Sequence, residues 1–176
     1  MSLMFSNDIK ASRNGDEYYT PQNAVDMIVP YVIAGGFGTV WCPFDKAESK
    51  FVETFKSYGL EVVHGHIETG QDFFDYDSPQ GDIVVSNPPF SKRDKIIERL
   101  FSFGVPFALV MNFNGLFDSK KRARLFRENE FELLVPFGRM KFTHKDKGQL
   151  NSPNFQSIYL CSGLLDRQIV FSGDEF

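Results

Sequence analysis

The stretch Gly81-Asp82-Ile83-Val84-Val85-Ser86-Asn87-Pro88-Pro89-Phe90 decides how the chain folds. Ile83 to Val85 is an apolar, β-branched run between polar and turn residues, the pattern of a buried strand. The strand must stop at Asn87-Pro88-Pro89. Two successive residues there lack an N–H and have a fixed φ, and Pro88 holds Asn87 extended. The outcome is a stiff turn at the carboxyl end of a strand, where open α/β sheets bind their ligands. Three groups are offered together: the Asn87 carboxamide, the Pro88 carbonyl and the Phe90 ring. The two oxygens can accept both hydrogens of an exocyclic –NH2, which draws the nitrogen toward tetrahedral geometry and frees its lone pair. Phe90 can stack on the ring that carries the amine, as aromatic side chains do with extruded bases. The plainer alternative is a Pro-Pro turn closing a core strand, with Phe90 as packing. The order strand, Asn-Pro-Pro-aromatic, helix is more specific than the tripeptide alone.

Working outward, Thr39-Val40-Trp41-Cys42 reads as the first strand of the sheet and Glu61-Val62-Val63-His64 as the second. Before them, Thr20 is a good N-cap with Pro21 at the first helical position, and Val25, Ile28, Val29 and Val32 repeat at helical spacing. A helix with Phe51, Val52, Phe55 and Tyr58 on one side follows the first strand. Only about eighteen residues separate the second strand from Ile83, so that sheet edge should lack a helix and strand and be shortened. After Phe90, Ile96, Ile97, Leu100 and Phe103 mark an amphipathic helix opened by Ser91 or a neighbour and stopped by Gly104. Phe107 to Met111 is a buried strand. Asp118 is expected to cap a basic helix with Lys120, Lys121, Arg122, Arg124 and Arg127, read as a solvated face or a phosphate contact. Segments 131–137, 140–143 and 155–161 read as strands, the last two as an antiparallel hairpin. Its loop, 144–154, carries Lys145, Lys147 and Ser152-Pro153-Asn154-Phe155 and is a candidate lid.

Ser86-Asn87-Pro88-Pro89-Phe90, taken with Glu17-Tyr18-Tyr19-Thr20-Pro21 and Trp41-Cys42-Pro43-Phe44-Asp45, resembles the motifs of S-adenosylmethionine-dependent amino methyltransferases. The catalytic motif there reads Asp/Asn/Ser-Pro-Pro-Tyr/Phe/Trp. The chain is most similar in these features to the adenine-N6 DNA methyltransferases of phages and restriction–modification systems, over about Asp16 to Ser162. The resemblance implies a Rossmann-like class I methyltransferase fold: α/β, a mostly parallel sheet and an antiparallel C-terminal hairpin. It implies Asn87, Pro88, Pro89 and Phe90 as catalytic residues and S-adenosylmethionine as cofactor. Tyr19, Thr20 and Pro21 would contact its methionine end, Cys42, Pro43, Phe44 and Asp45 would form its loop, Asp72 would accept from its adenine N6, and Phe73 would flank that ring. Two departures stand out. Cys42 replaces the usual Asp, and Asp45-Lys46-Ala47-Glu48 replaces a glycine-rich turn. Asp45 is then expected to take the methionine ammonium, to N-cap the next helix, or both. His64 and His66 stand where an acidic ribose partner is usual.

Composition bounds the rest. One domain fits 176 residues, with a flexible segment 1–16, a main body 17–163 and a peripheral tail 164–176. The chain is 42% hydrophobic and 24% charged, and its 20 Phe suggest that some line a site for flat ligands. A net charge of −4 disfavours a broad basic groove but leaves room for local phosphate contacts. Cys42 and Cys161 lack metal-ligand spacing and fit a reducing cytoplasm, and no metal is expected. There is no apolar span of ~20 residues, so no membrane segment is expected. DNA is the expected partner. RNA and a protein glutamine offer the same planar amine, and a catalytically inactive binding module is the rival of a different class. Target specificity would fall to the hairpin loop or to a separate subunit.

Overall fold

The computed structural model describes residues 18–140, 143–144, 148–149 and 156–172. In chain order the elements are β1 (Tyr18–Tyr19), α1 (Gln22–Ala34), β2 (Thr39–Cys42), α2 (Lys50–Ser57), β3 (Glu61–His64), β4 (Ile83–Ser86), α3 (Arg93–Phe103) and β5 (Phe107–Asn112). Then come α4 (Lys120–Glu128), β6 (Glu132–Pro136), β7 (Thr143–His144), β8 (Gly148–Gln149), β9 (Ser157–Ser162) and β10 (Ile169–Ser172). Seven strands form the main sheet in the order β10-β6-β9-β5-β4-β2-β3. Only β9 runs against the rest, paired antiparallel with β5 and β6. This is a Rossmann-like α/β domain with a mostly parallel sheet. A small second sheet, β1-β7-β8, pairs Tyr19 with Thr143 just before Thr20.

Alternation along the strands divides the core into two. Val40, Cys42, Ile83, Val85, Ala108 and Val110 face α1 and α2 and pack with Ile28, Val32, Phe51 and Phe55. Trp41, Val84, Phe107, Leu109 and Met111 face α3 and α4 and pack with Ile96, Ile97, Leu100 and Phe126. Strands buried on both faces read as unbroken apolar runs, which is why Ile83 to Val85 carried so clear a signal. Asp82 aligns the strand starts: its carboxylate accepts from the N–H groups of Gly38 (3.0 Å) and Thr39 (2.9 Å). Tyr159, fully buried on β9, donates its hydroxyl to the Ala24 carbonyl at 2.6 Å and so fixes the start of α1 over the sheet.

The sheet is shortened at the β3 edge as expected. Two 3-10 turns, Ile67–Thr69 and Phe73–Asp75, replace a full crossover between β3 and β4. The hairpin differs from expectation. The antiparallel partners of β9 are β5 and β6, with Leu109 opposite Leu160 in the first and Leu133 opposite Leu160 in the second. Apolar pairs from these strands are buried on both faces of the sheet, while Thr143–His144 pairs with β1 and β8. The tail is more than peripheral. Glu132 accepts from the N–H groups of Gly163, Leu164 and Leu165, and β10 then adds a parallel edge strand to β6. Tyr58 ends α2 exposed rather than packed, and Ser119, not Asp118, caps α4 by accepting from Arg122 N. Lys92 precedes α3 without a side-chain cap, and a 3-10 turn, Phe90–Lys92, leads into it. Residues 1–16 and most of the expected lid, with Lys145, Lys147 and 152–155, lie outside the described residues.

Gly81 opens β4 where the backbone runs tight against β2. A Cβ there would lie 2.9 Å from the Thr39 carbonyl oxygen and 3.0 Å from Trp41 N. Both are backbone atoms and cannot swing aside. Gly81→Ala is expected to destabilise the fold by about 1–3 kcal/mol. Urea denaturation checks this, and a variant as stable as the wild type contradicts the packing described.

Candidate active site

Three segments converge at the carboxyl ends of the adjacent strands β2 and β4. They are Thr20-Pro21 before α1, Pro43-Phe44-Asp45 after β2, and Asn87-Pro88-Pro89-Phe90 after β4. Ser86 is the hinge between the last two. Fully buried, its hydroxyl oxygen accepts from Phe44 N at 3.2 Å and its O–H donates to the Asp45 carboxylate. Sequence reasoning gave Ser86 no role of its own. A hydroxyl ending an otherwise apolar buried strand was the available signal.

Asn87 is held from the side. Its Nδ2 donates to Thr20 Oγ1 at 3.2 Å, and among the described residues its Oδ1 accepts no hydrogen bond. The carboxamide therefore has a fixed orientation and a vacant acceptor. The Pro88 carbonyl also accepts no hydrogen bond among the described residues, whereas Pro89 O accepts from Lys92 N at 3.3 Å. Pro88 is buried, Pro89 is exposed, and Phe90 is 41% exposed. The turn thus offers acceptors and an aromatic face, and no backbone donor between Asn87 and Phe90.

Thr20 does not cap α1, contrary to expectation. Pro21 occupies the N-cap position in an extended conformation with no side-chain cap, and Thr20 is turned to Asn87. The first N–H groups of α1 consequently lack a side-chain acceptor. Asp45 is also placed differently from expectation. It caps no helix, since Ser49 caps α2 by accepting from Val52 N at 3.3 Å. Its carboxylate is only 6% exposed and is engaged by Ser86. Burial raises its pKa from the ordinary 3.8 to about 7, while hydrogen bonds from the Ser86 and Ser49 hydroxyls and from the Asn87 backbone pull the other way. Cys42 is fully buried, and burial, with the charge of Asp45 beside it, pushes its thiol up. Pro43 is buried and Phe44 half-buried.

Phe73 is 2% exposed, with rings around it: Phe44 at 5.0 Å, Phe74 at 5.2 Å, Trp41 at 5.5 Å and Phe103 at 6.1 Å between centroids. It supports the floor of the site and has no free face. Half-buried Asp72 spends one oxygen capping the turn at Phe74 N, 3.0 Å, and keeps the other. His66 Nδ1 accepts from Glu68 N at 3.2 Å, so it closes its own turn. Tyr19 is placed on β1, directly before Thr20. No group of three or more metal-ligating side chains occurs among the described residues, and no described helix is long and apolar enough to cross a membrane. A shallow cavity of about 240 Å³, lined by Leu100, Gly104, Phe107, Asn129 and Ser162, opens at the opposite edge of the sheet.

No protein-family model matches the chain, and no curated protein matches it by sequence. Among solved structures it is similar to precorrin-8W decarboxylase of Methanobacterium thermoautotrophicum, at 12% identity over 93% of this chain and 92% of that one, with a TM-score of 0.43. It is also similar to precorrin-6Y C5,15-methyltransferase of Geobacter metallireducens, at 12% identity over 89% and 83%, with a TM-score of 0.39. At those values the site has to be read from this chain's own residues.

The buried carboxylate gives the fold a pH dependence of defined sign. Its pKa is about 7 folded and near 3.8 unfolded, so the folded chain keeps a proton that the unfolded chain releases. Its contribution to stability is complete below about pH 3.8, declines as pH rises, and is gone above about pH 7. The wild type should therefore lose up to a few kcal/mol from this group between pH 5 and pH 8. Asp45→Asn should flatten that segment of the profile. Urea unfolding at the two pH values measures it, and equal slopes in the two proteins would count against the assignment.

Proposed function

We propose that the chain is an S-adenosylmethionine-dependent methyltransferase acting on the N6 amine of adenine in DNA. One observation carries the reading: the Asn87 carboxamide, oriented by Thr20, leaves its oxygen vacant beside the Pro88 carbonyl and the exposed Phe90 ring. An amine with two hydrogens and a flat ring is the ligand this set suits. Guanine and glutamine side chains offer similar amines, and the likeness to the adenine-N6 DNA methyltransferase motifs in Tyr19-Thr20-Pro21 and Trp41 to Asp45 favours adenine in DNA.

The cofactor fits part of the residue set. The uncapped N-terminus of α1 favours a carboxylate, such as the methionine end carries. Asp72 keeps one carboxylate oxygen for an amino group. Cys42, Asp45 and Phe73 do not fit as direct contacts, because all three are buried and Asp45 is committed to Ser86. They act as supports under the loop instead. Once bound, the cofactor supplies a methyl group on a sulfonium centre.

The chain's own work is positioning. Asn87 Oδ1 and Pro88 O accept the two amine hydrogens and aim the nitrogen lone pair, and Phe90 holds the ring plane. Such a site gains most of its rate from aligning the two reactants and stabilising the charge that develops on the amine. A base in duplex DNA reaches this turn only after leaving the stack.

Asn87→Ala is expected to lower turnover about a hundredfold, a few kcal/mol of barrier, while S-adenosylhomocysteine still raises the melting temperature as in the wild type. Phe90→Ala is expected to weaken acceptor binding by about 1–3 kcal/mol. Labelled methyl transfer to DNA, RNA and protein pools tests the acceptor. Label in the RNA or protein pool alone would replace DNA, and no label with no thermal shift at millimolar S-adenosylhomocysteine would leave a non-enzymatic module.

A further inference from the structure

The loop after β5 has no role in the site described, yet it is among the most heavily braced segments of the surface. It runs Phe113-Asn114-Gly115-Leu116-Phe117. Arg122, only 4% exposed, donates Nε to the Leu116 carbonyl at 2.8 Å and an Nη to the Gly115 carbonyl at 2.6 Å, and pairs with Asp94 through its other Nη. Arg93 adds a second, longer bond to Gly115 O at 3.4 Å. Asn112 Oδ1 accepts from Asn114 N at 2.8 Å, and Phe113 N donates to Gln156 O at 2.8 Å. Leu116 is fully buried and pins the middle.

What this bracing holds up is two aromatic rings in solvent. Phe113 is 42% exposed and Phe117 46% exposed, with centroids 6.3 Å apart and planes at 81°. Phe117 rests on Phe126 at 5.4 Å and Phe131 at 6.2 Å, so it cannot fold down. Exposed apolar rings on a rigid loop are the mark of a binding surface. The position is specific. β5 is the immediate neighbour of β4, so the loop leaves the same carboxyl edge as Asn87 to Phe90, one strand away.

The charge nearby selects the ligand. Between 113 and 127 the chain has five cationic residues, Lys120, Lys121, Arg122, Arg124 and Arg127, against the single carboxylate of Asp118, in a chain of net charge −4. Arg122 is consumed by the bracing and Lys121 pairs with Glu98 at 2.6 Å. Lys120 and Arg124 are exposed and have no ion pair among the described residues. Exposed rings on the loop and exposed cations on the helix that follows it, in a chain of net charge −4, match bases joined by phosphates.

We propose that Phe113 and Phe117 form a stacking platform for the unpaired bases next to the acceptor, so that the chain takes single-stranded DNA. The proposal rests on a nucleic-acid acceptor at Asn87. A base can lie on these rings only if its own stack is already broken, which disfavours intact duplex. Stacking is tolerant of base identity, because every base has a π-face. Lys120 and Arg124 meet the phosphates.

The test uses the full chain and two fluorescein-labelled oligonucleotides: a twelve-residue thymidine strand, which has no acceptor, and a mixed strand with one adenine, each also as a duplex. The Phe113→Ala/Phe117→Ala variant is expected to bind both single strands at least tenfold more weakly. Its affinity for duplex should stay within twofold, and its response to S-adenosylhomocysteine should be unchanged. Phe113→Trp should keep wild-type affinity, and its emission should be quenched by the thymidine strand. If the double variant is poorly folded, Phe113→Ala alone, which leaves Phe117 on Phe126 and Phe131, should still lose several-fold. Unchanged single-strand affinity in a folded variant overturns the platform, as does loss of a protein partner or of self-association with DNA binding intact. The thymidine strand separates this from the methylation reading: weakened binding without methyl transfer to adenine keeps the platform and removes the enzyme. Methyl transfer with wild-type KM in the double variant does the reverse.

Discussion

The arrangement at the carboxyl edge depends on a carboxylate out of water. Asp45 sits between the end of β2 and the end of β4 and is met by the hydroxyl of Ser86. Burying such a group is costly unless donors surround it, and here Ser86, Ser49 and the Asn87 N–H supply them. The Asn87 donor is the smallest of the three in its effect on Asp45, but it shapes the end of the strand. It is the last N–H before two prolines, so β4 has nothing further to donate once Asp45 has taken it. The strand then ends in acceptors only. A turn whose backbone can only accept favours ligands that can donate, a character it owes to its two prolines and to the Asp45 carboxylate that takes the last N–H before them.

The same interaction sets the register of the parts around it. Ser86 bonds Phe44 N as well as Asp45, so the loop after β2 and the turn after β4 move as one body. Thr20 then joins α1 to that body through Asn87, while Tyr159 anchors the same helix from the antiparallel strand β9. Preorganisation of this sort has physical value in a site whose work is alignment, since little reorganisation is left for the moment of reaction.

Legibility in the sequence followed burial. Ile83 to Val85, Thr39 to Cys42 and the helical repeat from Val25 to Val32 were readable because each is buried along a fixed period, and all three were found as read. The Asn-Pro-Pro-Phe turn was legible because proline restricts the backbone whatever surrounds it. Asp45 was not. A carboxylate after a strand is ordinarily exposed, and only the fold reveals that Ser86 and Ser49 come round to meet it. Thr20 misled for a related reason. Its residue type favours a helix cap, but Asn87, 67 residues away in sequence, offered a better partner. The hairpin was misassigned because strand pairing depends on which apolar faces meet, and Leu133 and Leu134 were as apolar as any segment nearer to β9.

The exposed phenylalanines are unevenly placed. Of the 20 Phe in the chain, most serve the two cores. Among the described residues, those with large exposure are Phe90, Phe113, Phe117, Phe137 and Phe171. Phe90 follows β4, Phe113 and Phe117 follow β5, and Phe137 follows β6; these strands all run the same way, so the four rings leave one edge of the sheet. Phe171 lies on β10 opposite Val135, one residue short of that edge. Rings at this edge suit the flat, amine-bearing ligand proposed, and folding by itself gains nothing from keeping them in water.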